Sequence, residues 1–265
     1  MIRGWYIGSS GMNAQQNRLD AIANNLANVD TTGYKRSVSV SKNFSELLIR
    51  RMNDDGVKEV PFGSVDTGPI VGKLGLGVET NELYTIFEQG SLKQTGGAAD
   101  MALQGEGFFT VETPAGERYT RNGNFMVGLE GFLETKEGYP LLGENGRILV
   151  GNREFNVNVN GEITFADEGE VVDRLKIVRF DNERYLQKMG SGLYSSNDIS
   201  GEGEIAEGEK RPGIILGYVE TSNVNVINEM VQMIEVNRAY EMNQKTIQSE
   251  DAMMTNLWTK VATLR

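Results

Sequence analysis

The sequence predicts an α+β chain in which long N- and C-terminal amphipathic helices pack together around the ends of an inserted antiparallel β domain. Three observations lead there. Apolar residues recur at helical spacing over both ends, and short alternating runs broken by glycine fill the middle. The chain also combines 32 glycines with only 5 prolines, which suits tight turns in one region and unbroken segments elsewhere. The boundaries that follow are 1–35 plus 220–265 for a discontinuous helical assembly domain, 36–82 for a partly extended connecting segment, and 83–219 for the antiparallel β domain. A chain of 265 residues with 39% hydrophobic content is long enough for one large or two modest cores.

The N-terminal helix is predicted from Ile7 to Val29. Met12, Leu19, Ile22, Leu26 and Val29 form a heptad stripe with a polar break at Gln15. Its opposite face carries Asn13, Gln16, Asn17, Asp20, Asn24 and Asn28, polar but nearly uncharged, so a neighbouring surface could cover it at little electrostatic cost. Gly33, in Asp30-Thr-Thr-Gly33, is the residue able to take positive φ past the helix end.

The C-terminal helix starts near Asn223 or Asn225, either of which can cap exposed amides. A ladder of steps of three and four runs through Val226, Met230, Met233, Asn237, Tyr240, Gln244, Ile247, Asp251, Met254, Trp258 and Val261. The predicted length is about 55 to 60 Å, and a second apolar row of Val231, Ile234 and Met242 widens the stripe beyond a two-helix seam. The interface residues expected from both helices are Met12, Leu19, Ile22, Leu26, Val29, Val226, Met230, Met233, Asn237, Tyr240, Gln244, Ile247, Met254 and Trp258. The plainer alternative is that both helices close the core of a monomer.

Between Leu83 and Val219, strands are predicted at Phe108–Val111, Tyr119–Arg121, Asn124–Val127 and Gly131–Glu134. Turns are predicted at Asn122-Gly123, Glu130-Gly131, Glu137-Gly138, Asn145-Gly146 and Asn160-Gly161. These imply hairpins in a barrel or sandwich-like unit. Phe44 to Arg51 reads as a short helix, Asp54 to Gly77 as a stretch that orders against a neighbour, and Glu202 to Arg211 as an exposed acidic loop.

Composition excludes much chemistry. With no cysteine and no histidine, disulfides, thiol nucleophiles, zinc sites and the Ser-His-Asp triad are absent. A net charge of −11 disfavours nucleic acid, which demands a concentrated cationic surface. No stretch approaches the roughly 20 apolar residues that span a bilayer, and the N-terminus lacks a signal peptide's apolar core. Gly68-Pro-Ile-Val-Gly-Lys-Leu74 is one residue short of a phosphate loop and lacks its Ser/Thr, while Ser39-Val-Ser-Lys42 lacks the companion motifs of serine-lysine acyl transfer. Asp54-Asp-Gly56 and Gly201-Glu-Gly-Glu204 do not fit a calcium loop. No catalytic, cofactor or metal residue is nominated, although 37 acidic residues leave a carboxylate-dependent hydrolase as a formal alternative.

Two long motifs carry a family resemblance. Ala23-Asn-Asn-Leu-Ala-Asn-Val-Asp-Thr-Thr-Gly-Tyr-Lys35 closely resembles the N-terminal signature of bacterial flagellar rod and hook proteins. Gly217-Tyr-Val-Glu-Thr-Ser-Asn-Val-Asn-Val-Ile-Asn-Glu-Met-Val-Gln-Met-Ile234, continued by Arg238–Lys245, is similar to the C-terminal one. Gly105–Phe109, Tyr119–Gly123 and Gly138–Leu142 extend the likeness through the β region. The resemblance implies a non-enzymatic rod subunit of the flagellar basal body that polymerises into a helical tube, terminal helices inside and β domain outside, carrying torque from motor to hook. Its implied partners are copies of itself, neighbouring rod and hook proteins and the flagellar export apparatus, and its implied location is the periplasmic rod, reached by type III export without a cleaved signal peptide. Length and the Tyr218 to Glu241 region are most similar to distal rod members. Phe44–Arg51 and the Asp54 to Gly77 stretch depart from them and keep proximal rod members open. A surface adhesive module borrowing this architecture is a third reading.

Overall fold

The computed structural model describes residues 2–44, 46–50, 57–60, 62–66, 70–151, 153–165, 171–206, 208 and 211–262. They fall into two compact units: Met1–Ala23, Ser39–Leu83 and Met230–Arg265 form the first, and Asn24–Val38 and Tyr84–Glu229 the second. The chain is mixed α and β, with one helix near each end and antiparallel sheets between them.

Most of both helices belongs to the first unit. Helix α1 spans Ile2–Ala27, beginning earlier than the apolar stripe suggested and ending before Val29. Helix α2 spans Val226–Ala262, 37 residues and so about 55 Å. Asn225 caps it, its Oδ1 accepting from the Asn228 amide at 3.1 Å. The two helices meet through glycines. A Cβ on Gly4 would lie 2.9 Å from Glu250 Oε1, one on Gly8 2.8 Å from Ile247 Cγ1, and one on Gly11 2.9 Å from Asn243 Nδ2. As the α1 numbers rise the α2 numbers fall, so the helices run antiparallel. Each glycine inside a helix costs about 1 kcal/mol relative to alanine, offset here by the close approach of the second helix.

The same unit holds a two-stranded ribbon made of nested pairs. Ser37–Asn43 pairs with Val78–Thr85, Glu46–Arg50 with Ile70–Gly75, and Val57–Val60 with Gly63–Asp66. The helix expected at Phe44–Arg51 is therefore a strand over Glu46–Arg50, with Leu47 opposite Leu74 and Ile49 opposite Gly72. Eight residues are too few to hold a helix without burial, whereas an antiparallel ladder to Ile70–Gly75 gives the backbone of Glu46–Arg50 hydrogen-bond partners along one side. Residues 57–60, 63–66 and 70–75 of the idiosyncratic stretch are thus strands. Asp54, Asp55, Gly56, Gly68 and Pro69 lie outside the described residues.

The second unit is the β body. Its largest sheet has six strands in the order Gln187–Gly190, Leu193–Ser195, Gly116–Thr120, Phe108–Thr113, Ile177–Arg179 and Glu204–Ile205. Successive side chains on a strand point to opposite faces, and Phe108-Phe109 uses this directly. Phe109 enters a core with Leu103, Phe125, Leu133, Ile148, Ile163 and Leu175, while Phe108 enters an aromatic cluster with Tyr119, Phe180 and Tyr194. The ingoing strands Leu92–Gln94 and Met101–Gln104 pair antiparallel with the outgoing Tyr218–Glu220 and Gly213–Leu216. The insertion therefore begins and ends side by side.

Turns at Gly131, Gly138, Gly146 and Gly161 have positive φ, as Asn-Gly and Glu-Gly pairs suggested. Asn122-Gly123 is different and is not a hairpin. The Met101 amide donates to Gly123 O at 2.9 Å, and a Cβ on Gly123 would sit 1.5 Å from Met101 O. This glycine makes room for a backbone crossing rather than a reversal.

Candidate assembly interface

In the second unit, the turn after α1 meets the outgoing strand in a buried ionic junction. Gly33, at φ 68°, donates its amide to Glu220 O at 2.8 Å. A Cβ there would fall 2.4 Å from the Asn122 amide nitrogen. This turn lays Lys35, Arg121 and Glu220 together, all essentially without solvent exposure. Lys35 Nζ pairs with Glu220 Oε1 at 2.5 Å and donates to Glu88 O at 2.7 Å. The Gly90 amide donates to the same Oε1 at 2.8 Å. Arg121 lies 3.7 Å from Glu220 Oε2, donates to Gly105 O at 2.7 Å and stands over the Phe108 ring at 5.5 Å.

Burial lowers the pKa of Lys35, with the Glu220 charge opposing it, and burial likewise lowers that of Arg121. Two cations around one carboxylate would be costly at this depth. Glu183 acts on both cations electrostatically, and its own pKa is raised first by burial and held back by Arg121.

Neutral contacts extend the junction. Asn25 Nδ2 donates to Ser37 O at 2.9 Å, and the Ser37 amide returns a bond to Asn25 Oδ1 at 2.8 Å. The Tyr34 hydroxyl donates toward Asn24 Oδ1 and Asn25 Oδ1 at 2.8 and 3.1 Å. Asn223 accepts from the Arg36 amide and donates to Ile86 O. Part of the polar face expected to wait for a neighbour is thus occupied inside this unit. A signature rich in Asn, Thr, Gly and Lys has a physical reason: the Asn, Thr and Lys side chains hydrogen-bond within and around a tight turn, and Gly33 takes its positive φ.

Among the predicted interface residues, Ile22 is buried, and Met12, Leu19, Leu26, Val29, Val226, Met233, Tyr240, Ile247 and Met254 are half-buried. Met230, Asn237, Gln244 and Trp258 are exposed in the single chain. Along α2 the shielded row is Met233, Val236, Tyr240, Asn243, Ile247, Glu250 and Met254, spaced three and four apart as in a heptad seam. It shares Met233, Tyr240, Ile247 and Met254 with the ladder read from sequence and substitutes Val236, Asn243 and Glu250 for Asn237, Gln244 and Asp251. Gly4, Gly8 and Gly11 were missed as packing residues, although a glycine row inside a helix is the signal that reveals a close helix neighbour.

What the first unit leaves open is apolar. Tyr6, Val231, Ile234, Met242, Met253, Leu257 and Trp258 are exposed on the helices, and Leu47, Leu48, Ile49, Ile70 and Val71 on the ribbon. Trp258 is 70% exposed and Tyr6 71%, unusual for such large side chains without a partner. An apolar cavity of about 380 Å³ lies among Tyr6, Phe44, Leu47 and Leu76, with Arg3 and Ser10 at its wall.

Three family descriptions match this chain: "Flagella basal body rod protein" over residues 6–35, "Flagellar hook protein FlgE/F/G D1 domain" over 102–173, and "Flagellar basal body rod FlgEFG protein C-terminal" over 215–257. A flagellar basal-body rod protein FlgG of Buchnera aphidicola subsp. Schizaphis graminum is 37% identical over 97% of this chain and 99% of its own length. FlgG of Bacillus subtilis is 33% identical over 97% and 98%, and a FlgF of Caulobacter vibrioides 33% over 89% and 88%. The chain belongs to the flagellar basal-body rod family, of the FlgF/FlgG type.

That family is a structural component of the basal body and not an enzyme, so the carboxylate-hydrolase and adhesive readings find no support in it. Its N-terminal matched span holds most of α1 and the Lys35 turn, and its C-terminal span holds Glu220, Asn223 and most of α2. The ribbon falls outside all three spans. No helix among the described residues is long and apolar enough to cross a membrane.

Proposed function

We propose that this chain is a structural subunit of the flagellar rod that polymerises with copies of itself into a helical tube, transmitting torque from motor to hook. The observation that carries the reading is the unfinished surface of the first unit: wide apolar rows on both helices and the ribbon, with Trp258 and Tyr6 uncovered. Covering such a surface with further subunits supplies the driving force for association. Contacts of the head-to-tail kind, which do not close a ring, generate a tube.

In this reading residues 1–35 and 220–265 act as the discontinuous assembly domain, 36–82 connects it, and 83–219 is the outer β domain. Asn237, Gln244 and Asp251 on the outer face of α2 set register between neighbouring helices at some cost in stability. The subunit passes through the flagellar export apparatus to the periplasmic rod without a cleaved signal peptide, and a distal position within the rod fits the FlgG relatives best. Neighbouring rod and hook proteins meet it at the two ends of its segment.

The test is substitution at the stripes. Ile247→Asp or Leu26→Asp puts an uncompensated charge into packed surroundings and is expected to abolish polymers seen by electron microscopy, while in Ile247→Asp, whose site lies in the first unit, the thermal transition of the second unit persists. Normal rods from either variant would remove these stripes from the interface. In isolated monomer, limited proteolysis is expected to cut the helix termini before the β body.

A further inference from the structure

The six-stranded sheet of the second unit has two free edges, and they differ in charge. At the Gln187–Gly190 edge a cavity of about 400 Å³ is lined by Asn24, Asn28, Thr31, Asn122, Glu137 and Lys188, among others. Lys188 Nζ donates to Lys35 O at 2.6 Å and to Ser37 Oγ at 2.8 Å and lies 4.3 Å from the Tyr34 ring centroid. An ammonium has three protons, and these contacts use two of them. Among the described residues no carboxylate stands within ion-pair distance of it; Glu137 lines the cavity without reaching it.

At the opposite edge, Glu202 and Glu204 are exposed in the glycine-punctuated run Gly201–Glu204 that leads into Glu204–Ile205. Neither glutamate has an ion-pair partner among the described residues. Five strand spacings separate the two edges, about 24 Å at roughly 4.8 Å each. The acidic run therefore cannot enter the cavity of its own chain.

We propose that the Lys188 cavity is a socket for the glutamate carboxylates of the Gly201–Glu204 run of a second copy of this chain. Charge complementarity selects the occupant: a chain of net charge −11 repels its copies except where an uncompensated cation meets an exposed acidic segment. Socket and plug lie on opposite edges of one sheet, so each copy offers a free plug after its own socket is filled. The contact is heterologous and propagates. It rests on the reading of the chain as a polymerising subunit and adds a β-body contact that the helical stripes do not provide.

The absence of cysteine permits a direct test on the full-length chain. Ser191 lines the cavity and Ile205 is exposed beside the acidic run. The double variant Ser191→Cys/Ile205→Cys, concentrated and mildly oxidised, is expected to give a ladder of dimers, trimers and higher species on a denaturing gel, while each single variant stays monomeric because its cysteine faces no second one across a head-to-tail contact. Adding Glu202→Lys and Glu204→Lys is expected to cut the ladder at least tenfold, and so is raising the salt to 1 M, which screens surface pairs. Lys188→Glu in the doubly reversed background is expected to restore it. Because Lys188 also braces the Lys35 turn, the ladder and the glutamate reversal carry the test if that last variant fails to fold. Polymers visible by electron microscopy with no ladder would overturn the socket and leave the subunit reading standing. No polymer from the wild-type chain under any condition would overturn the reading beneath both.

Discussion

The two units solve opposite problems with similar residue types. The β body hides Phe108 and Phe109 on two sides of one strand and ties the turn after α1 to its outgoing strand with Lys35, Arg121 and Glu220. The helices and ribbon instead leave Tyr6, Ile49, Val71, Met242 and Trp258 in solvent. The second unit carries two buried apolar clusters as a single chain, and the first carries none among the described residues. A subunit of an assembly needs both, because the finished unit limits nonspecific collapse while the unfinished one holds back apolar area for its neighbours.

The contrast would break most visibly at Glu220. Glu220→Ala leaves Lys35 and Arg121 buried without their nearest counter-charge and is expected to cost about 3 to 5 kcal/mol, lowering the melting temperature of the β body. A loss below about 1 kcal/mol would mean the junction relaxes to admit water, and the β body would not be the sealed unit described. A smaller effect, confined to the other unit, is expected at Gly8. Gly8→Val drives a side chain into Ile247, an overpacking worth about 1 to 3 kcal/mol. Hydrogen exchange should quicken along α1 and α2 with the β-body transition unmoved; a shift of that transition would erase the distinction.

The smallest effect concerns pH. Burial pushes the Lys188 ammonium down to about 8, below the usual lysine value near 10.4. Between those values the unfolded chain binds more protons than the folded one, so β-body stability is expected to rise from about pH 8 to about pH 10. Lys35, also lowered by burial, acts in the same direction. Tyr34, raised by burial to about 12, reverses the trend above about pH 10, where only the unfolded chain sheds that proton. Thermal melts across this range check it, and Lys188→Met should flatten the rise.

Much of this architecture can be read from local pattern. The start of α2 follows from Asn225, a residue whose chemistry acts within a few positions, and most β turns follow from glycine for the same reason. Phe44–Arg51 was misread because Leu47, Leu48 and Ile49 fit either period; the strand at Ile70–Gly75, more than twenty residues away, decides the matter. Asn122-Gly123 misled likewise, since the neighbour that demands glycine is Met101 rather than the next residue.

The α2 seam was legible to one position. Met233, Tyr240, Ile247 and Met254 stand on it in both readings, but the alternate rungs are Val236, Asn243 and Glu250, placed there by the glycine row of α1. The ionic junction was not legible at all, because Lys35 and Glu220 are 185 residues apart and no periodicity relates them.

That separation has a consequence for how such a chain can change. With positions 33–35 bonded to 220, the intervening chain is a closed circuit whose ends stay put whatever lies between. The entropic cost of a closed circuit grows only with the logarithm of its length, about 0.6 kcal/mol for each doubling. Surface loops such as 143–146 or 201–204 can therefore lengthen or shrink, and whole hairpins be gained, at almost no expense to the clasp. The clasp itself tolerates little: a methyl group on Gly33 would strike the Asn122 backbone. Variation should thus accumulate on the periphery of the circuit and stall at its lock.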